Sequence, residues 1–266
     1  MSELCSIESH GDGPLVAIAL HDGHDVRPEL KPLYALSAEG RLREEDPFTG
    51  EWTRVAPHRV VVHRSRFEVD LNRPPETCVY RVPEDAWGLR VWQDPLPDDT
   101  AQRSRRLHVD FYATMQDLLG RMAERWDRFV VFDLHSYNHR RGGPKAEPAD
   151  PELNPEVNLG TGSLDRARWG SVADTFLGVM RRVDVGGRTL DVRENVKFRG
   201  GYFSQWVHRT FPESACCLAI EFKKFFMDEW TAAPDRSIVD AIGSALQETA
   251  SSVLTTLGAQ RKGEGA

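Results

Sequence analysis

Short apolar runs that alternate with helix-periodic stretches constrain this chain more than any other feature. Residues 15–20, 60–63, 129–134, 189–192 and 215–222 have strand length, and two of them, FVVFDL and ACCLAIEF, are apolar almost throughout. Runs of that kind belong to strands buried on both faces, as in a parallel sheet. Between them Phe111, Met115, Leu118, Met122 and Trp126 recur at spacings of three and four, as do Trp169, Val172, Phe176, Met180 and Val183, and again Ile238, Ile242, Ala245, Thr249 and Val253. Each set predicts an amphipathic helix packed on the sheet. The alternation predicts an α/β fold, a three-layer αβα sandwich with a mixed, largely parallel central sheet. A length of 266 residues suits one such domain spanning 1–266. Residues 41–53, 82–99 and 140–155 are rich in Pro, Gly and charge and read as loops, none of them a domain linker. The third exceeds a usual connection and reads as a lid.

Composition narrows the function classes. A net charge of −7 lacks the basic surplus of a non-specific nucleic-acid binder. A mean hydropathy of −0.48, with no apolar run near the ~20 residues of a membrane helix, argues against a membrane span. The N-terminal MSELCSIESHGDGP has no basic region followed by an apolar stretch, so a cytoplasmic protein is expected. Cys5, Cys78, Cys216 and Cys217 do not match a CxxC knuckle and read as buried reduced thiols. The Gly-rich NLGTG at 158–162 lacks the Lys-Ser/Thr of a phosphate loop.

In open α/β sheets ligands bind beyond the carboxyl ends of the strands. Three runs end there in reactive residues: VAIAL leads to His21 and His24, VVFDL to His135 and Ser136, and CCLAI to Glu221. His21 and His24 could meet one ion across a tight turn, with His135 as the third ligand; three protein ligands and an open position describe a catalytic zinc. The alternative is a solvated histidine pair. Asp133 is placed to buttress a histidine. A carboxylate ending an apolar run is costly unless paired or used in chemistry; Glu221 is therefore either a general base or the partner of Lys223 or Lys224. HRSRFEVDLNR at 63–73 gathers Arg64, Arg66, Asn72 and Arg73, donors suited to a carboxylate, although a solvated edge strand would also alternate charge.

VDLNRP at 69–74, LHSY at 134–137, HxxH after a strand and a late strand bearing Glu221, in that order, resemble the zinc carboxypeptidase superfamily. HRSRFEVDLNR, NLGTG and ENVKFRGGYFSQWVHRTFP at 194–212 resemble its N-formylglutamate amidohydrolase branch, over roughly residues 15–230. The resemblance implies one zinc, or another divalent ion, on His21, His24 and His135, with Glu221 as general base and Arg66 at the oxyanion. It implies Asn72 and Arg73 at the α-carboxylate, Arg64 or Lys197 at a side-chain carboxylate, and Asn195, Lys197, Arg199 and Tyr202 as lining of the loop KFRGGYF. His24 stands where the peptidases carry glutamate, leaving an all-histidine site that keeps the metal's full charge and acidifies bound water. The implied reaction releases a small acyl group, formyl, from an amino acid such as glutamate, so the partner is a small-molecule N-acyl amino acid rather than nucleic acid or membrane. A carboxypeptidase-like hydrolase of a peptide or conjugate is the alternative. A non-catalytic binding domain is a further one, against which the presence of Glu221 speaks. Acyl group, amino acid, native metal and oligomeric state stay open at this level.

Overall fold

In a computed structural model describing residues 4–262, the two apolar runs form the two longest strands; the first three residues of the N-terminal stretch lie outside the described part. β4 (Phe129–Tyr137) is buried at all nine positions, and β7 (Ala215–Lys223) lies parallel to it from Phe129 opposite Ala215 to Tyr137 opposite Lys223. Around them stand β1 (Cys5–Ser9), β2 (Leu15–Ala19), β3 (His58–Val62), β5 (Val157–Gly160) and β6 (Val192–Glu194), in the order β1-β3-β2-β4-β7-β5-β6. Strands β3, β2, β4 and β7 are mutually parallel. β1 runs antiparallel to β3, and β5 antiparallel to β7 with β6 parallel to β5. The sheet is mixed and mostly parallel, as its sequence predicts.

Strand side chains alternate between faces, and the two faces bury different helices. Val131 and Cys217 pack with Phe111 and Met115 of α3 (Asp98–Arg125) and Phe203 of α5 (Tyr202–Thr210). Phe132 and Leu218 pack with Phe176 of α4 (Arg166–Met180) and Ile242 of α6 (Arg236–Leu257). Each such fully buried side chain contributes about 1.5–3 kcal/mol. Asp165 and Asp235 cap α4 and α6 by accepting from the first free backbone N–H groups, and Gly258, at φ 57°, ends α6. Asp133, His135 and Glu221 continue the α3/α5 face to the strands' carboxyl ends.

Several elements depart from expectation. The strand expected at 189–192 is shifted to β6. β1 carries polar residues and lies at an edge. β5 is short and interrupted by buried Asn158, whose carboxamide is satisfied by the backbone of Lys197 and Phe198. Residues 41–53 hold the end of α1 (Ala38–Glu44) and α2 (Thr49–Trp52), whereas 140–155 has neither helix nor strand. All four cysteines are buried, and none is joined in a disulfide. Among the described residues no helix is long and apolar enough to cross a membrane.

Candidate active site

His21 follows β2 and His135 lies near the end of β4; their rings are 5.0 Å apart. Both rings are oriented by carboxylates. His21 Nε2 donates to Asp70 Oδ1 at 2.8 Å, and His135 Nε2 to Asp133 Oδ1 at 2.9 Å. Their Nδ1 atoms turn toward one oxygen, Asp46 Oδ2, at 3.4 Å from His21 and 3.1 Å from His135. His21, Asp46 and His135 are all buried, and their candidate ligand atoms lie within 4.8 Å of one another. With each Nε2 proton engaged outward, three Lewis-basic atoms face one another and call for a positive charge between them. Burial disfavours a charged His135, yet Asp133 and Asp46 override it and raise its pKa well above the usual histidine range. Burial likewise opposes ionisation of Asp46, but the bonds from His135 and His21 hold it below the carboxylate range. A divalent cation meets the same demand, and carboxylate-buttressed histidines are the usual surroundings of one.

The set differs from the expected three histidines. Asp46 takes the place assigned to His24, whose Nδ1 lies 2.5 Å from Glu45 Oε2. The HxxH stretch does not turn back on itself. Gly23 packs so tightly on the His63 backbone that a β-carbon would overlap it. Asp25 N–H donates to His63 O and Ser65 N–H to Asp25 O, keeping the chain alongside the end of β3. His24 thus leaves on another side, lining a separate surface depression. Asp46 is brought in by its N–H to His21 O at 2.8 Å, and Thr49 secures its carbonyl. Its carboxylate would leave a cation held there with one unit less net charge than a three-histidine set would. Nothing in RLREEDPF marks Asp46 among three consecutive acids.

The three groups open into a cavity of about 450 Å³, the size of a small-molecule site. Glu221 lies on its wall, register-paired with His135 on β4 and Asn158 on β5. Its side chain makes no hydrogen bond or ion pair with the described residues; Lys223 Nζ donates instead to Asn154 O, and Lys224 Nζ to Arg43 O and Glu45 O. Burial pushes Glu221 up to about 7, with His135 and His21 pulling against Asp46 and Asp133.

Asp70 organises the opposite wall. Besides His21 it accepts from Asn72 N–H, Tyr80 Oη and Arg66 Nη2, the last at 2.9 Å, while Arg73 Nε lies 3.5 Å away. Burial would raise its pKa, but Arg66 and His21 keep it well below the ordinary range. Asp70 sits inside the HRSRFEVDLNR stretch, so its neighbours were legible and its hub position was not. Asn72 Oδ1 accepts from Phe203 N–H at 3.0 Å, which leaves Nδ2, 3.4 Å from His135 Nε2, as the cavity-side donor. Gly201 passes so near that a β-carbon there would overlap the Asn72 carboxamide. Arg66 and Arg73 flank the half-exposed Trp87 ring, at 4.8 and 6.0 Å.

The expected lining residues divide. Lys197 and Arg199 line the cavity, together with Arg141 from the 140–155 loop, whose guanidinium pairs with Glu44 at 3.0 Å. Lys197 Nζ reaches Asn154 Oδ1 at 2.6 Å, and burial with Arg141 nearby lowers its pKa. Arg64, Asn195 and Tyr202 are not among the cavity-lining residues. Arg64 faces Glu68 at 3.9 Å because residue 64 extends the β3 edge against Asp25. Asn195, at φ 55°, spends its carboxamide on Thr161. Tyr202 opens α5 and packs on Tyr112 and His108.

Comparison with known proteins shows the fold and the family. No curated protein matches the sequence. An N-formylglutamate amidohydrolase from Ralstonia eutropha JMP134 is similar in structure, with a TM-score of 0.71 at 16% identity over 97% of this chain and 99% of that one. A gene product of Agrobacterium tumefaciens is similar with a TM-score of 0.70 at 19% identity, over 97% of each chain. At these identities the likeness shows the fold. The family model for N-formylglutamate amidohydrolase matches residues 13–227, a stretch holding β2, β4, β7 and every residue of the candidate site, and the chain belongs to the N-formylglutamate amidohydrolase family.

Proposed function

We propose that the chain is a metal-dependent amidohydrolase that cleaves the amide between a formyl group and an amino acid with a second carboxylate, such as N-formyl-L-glutamate. The convergence of His21 Nδ1 and His135 Nδ1 on Asp46 Oδ2, with both Nε2 atoms held by Asp70 and Asp133, carries the reading. These three residues would hold one zinc or similar divalent ion, which when bound lowers the pKa of water and polarises the acyl carbonyl. Glu221 is the proton carrier. Having no partner among the described residues and a pKa near 7, it can take a proton from the attacking water and return it to the departing nitrogen. Arg66, held in place by Asp70, stabilises charge that develops on the carbonyl oxygen. Asn72 Nδ2 and Arg73 grip the α-carboxylate and orient the scissile bond. Lys197, with Arg199 and Arg141 on the same cavity, receives the second carboxylate in place of Arg64.

The fold's own contacts support a small substrate, since Arg141 of the 140–155 loop and Trp87 border the cavity. The test is metal content of protein purified without chelator beside formate release from N-formyl-L-glutamate. One zinc per chain with formate release is expected. Stoichiometric zinc without release moves the substrate to another acyl group or a peptide, and absence of metal after reconstitution overturns the reading.

A further inference from the structure

Three residues past Glu221, just beyond β7, Lys224 is almost wholly buried, 1% exposed. Its Nζ donates to the carbonyls of Arg43 and Glu45, both at 2.6 Å, and its backbone N–H donates to Tyr137 O at 3.0 Å. No carboxylate pairs with it directly among the described residues, while Asp46, Glu44 and Glu229 attract it from farther off. A buried ammonium without a carboxylate partner is costly, and core packing alone would be served as well by a methionine. What the ammonium gains is the end of α1. Arg43 lies in the helix's last turn and Glu45 is its C-cap, so their carbonyls are among those a helix leaves without partners. The next residue is Asp46.

We infer that Lys224 is a positioning residue for the candidate metal centre: by clamping the carbonyls of Arg43 and Glu45 to the end of β7, it sets Asp46 Oδ2 opposite the Nδ1 atoms of His21 and His135. The inference rests on the reading that these three residues hold a metal. β7 thereby carries the proton-transfer group, Glu221, and the residue just past its end anchors the ligand-bearing connection, both on the same cavity. The base and the third ligand keep their spacing because both are referred to β7.

The experiment compares wild type with Lys224→Met, which keeps the side-chain volume and loses the donors, and Lys224→Arg, which keeps two donors. Zinc affinity is measured by competition with a chromophoric chelator, the cobalt-substituted proteins give a visible spectrum of the ligand field, and thermal melting of the metal-free proteins reports folding. Lys224→Met is expected to bind zinc about 10–100-fold more weakly, with a changed cobalt spectrum, while Lys224→Arg recovers part of both. Should Lys224→Met not fold, Lys224→Gln, with a shorter amide donor, must show the same weakening. Wild-type affinity and spectrum in the folded Met or Gln variant overturn the inference while leaving the metal site standing. A wild-type protein that binds no zinc overturns the site and the inference together.

Discussion

His135 and Asp46 arrive at the same point by different routes. His135 belongs to a strand buried along its whole length, paired on both sides, with Asp133 two residues earlier on the same face to hold its ring. Asp46 rides on a connection between two short helices and is located by bonds from distant parts of the chain, His21 O on one side and Lys224 on the other. The sheet fixes a candidate ligand by register, where a shift would displace every neighbour. The connection fixes one by a few hydrogen bonds, each replaceable by water.

Breaking the two routes in turn should separate ligation from support. His135→Ala and Asp46→Ala are both expected to lose stoichiometric zinc, read by elemental analysis after dialysis, and formate release with it. Retention of metal by Asp46→Ala would show that the loop-borne carboxylate is no ligand. Next in size is Glu221→Gln, expected to keep its zinc while turnover falls by at least about 100-fold. The wild-type rate should rise with pH as the Glu221 carboxylic acid ionises, along an acid limb at or somewhat below pH 7, because burial raises this carboxyl to about 7 and a neighbouring cation pulls it back. That limb should be missing from the residual activity of Glu221→Gln.

The outward supports sharpen the contrast at lower amplitude. Asp133→Asn and Asp70→Asn keep the shape and lose the charge behind each imidazole, and zinc affinity measured by chelator competition should drop about 10–100-fold for either. Asp70→Asn should additionally raise KM, since Asp70 also holds Arg66 and Arg73 beside the cavity. His24→Ala is expected to have the smallest effect, with zinc retained and activity within about twofold, because Glu45 keeps its bond from Ser65 when the imidazole is removed. Loss of zinc in that variant would restore the three-histidine set.

How much of this was legible in the sequence follows the same division. His21, His135 and Glu221 each end or follow an apolar run, so hydrophobic patterning by itself locates them at the sheet's rim. The layers were legible for the same reason, because β4, β7 and the long helices repeat their apolar residues at the right periods. β1, β5 and α5 lacked that signal. β5 buries Asn158, a residue that reads as loop until its partners Lys197 and Phe198 are seen 39 and 40 positions away. Asp46 was illegible because the choice among Glu44, Glu45 and Asp46 is made by non-local bonds: Glu44 pairs with Arg141, Glu45 with His24 and Ser65, and Asp46 is left to face the histidines. Asn195 and Tyr202 flank the loop that carries Lys197 and Arg199, but backbone direction turns them into supports of the turn and of the aromatic cluster.

Gly201 has no side chain to offer the reaction, yet the Asn72 carboxamide fills the space where its β-carbon would stand, and Asn72 lies beside His135. A saturation screen scored by activity alone would therefore rank Gly201 with the candidate ligands themselves, so the positions intolerant of change in such a molecule outnumber the groups proposed to take part in its chemistry.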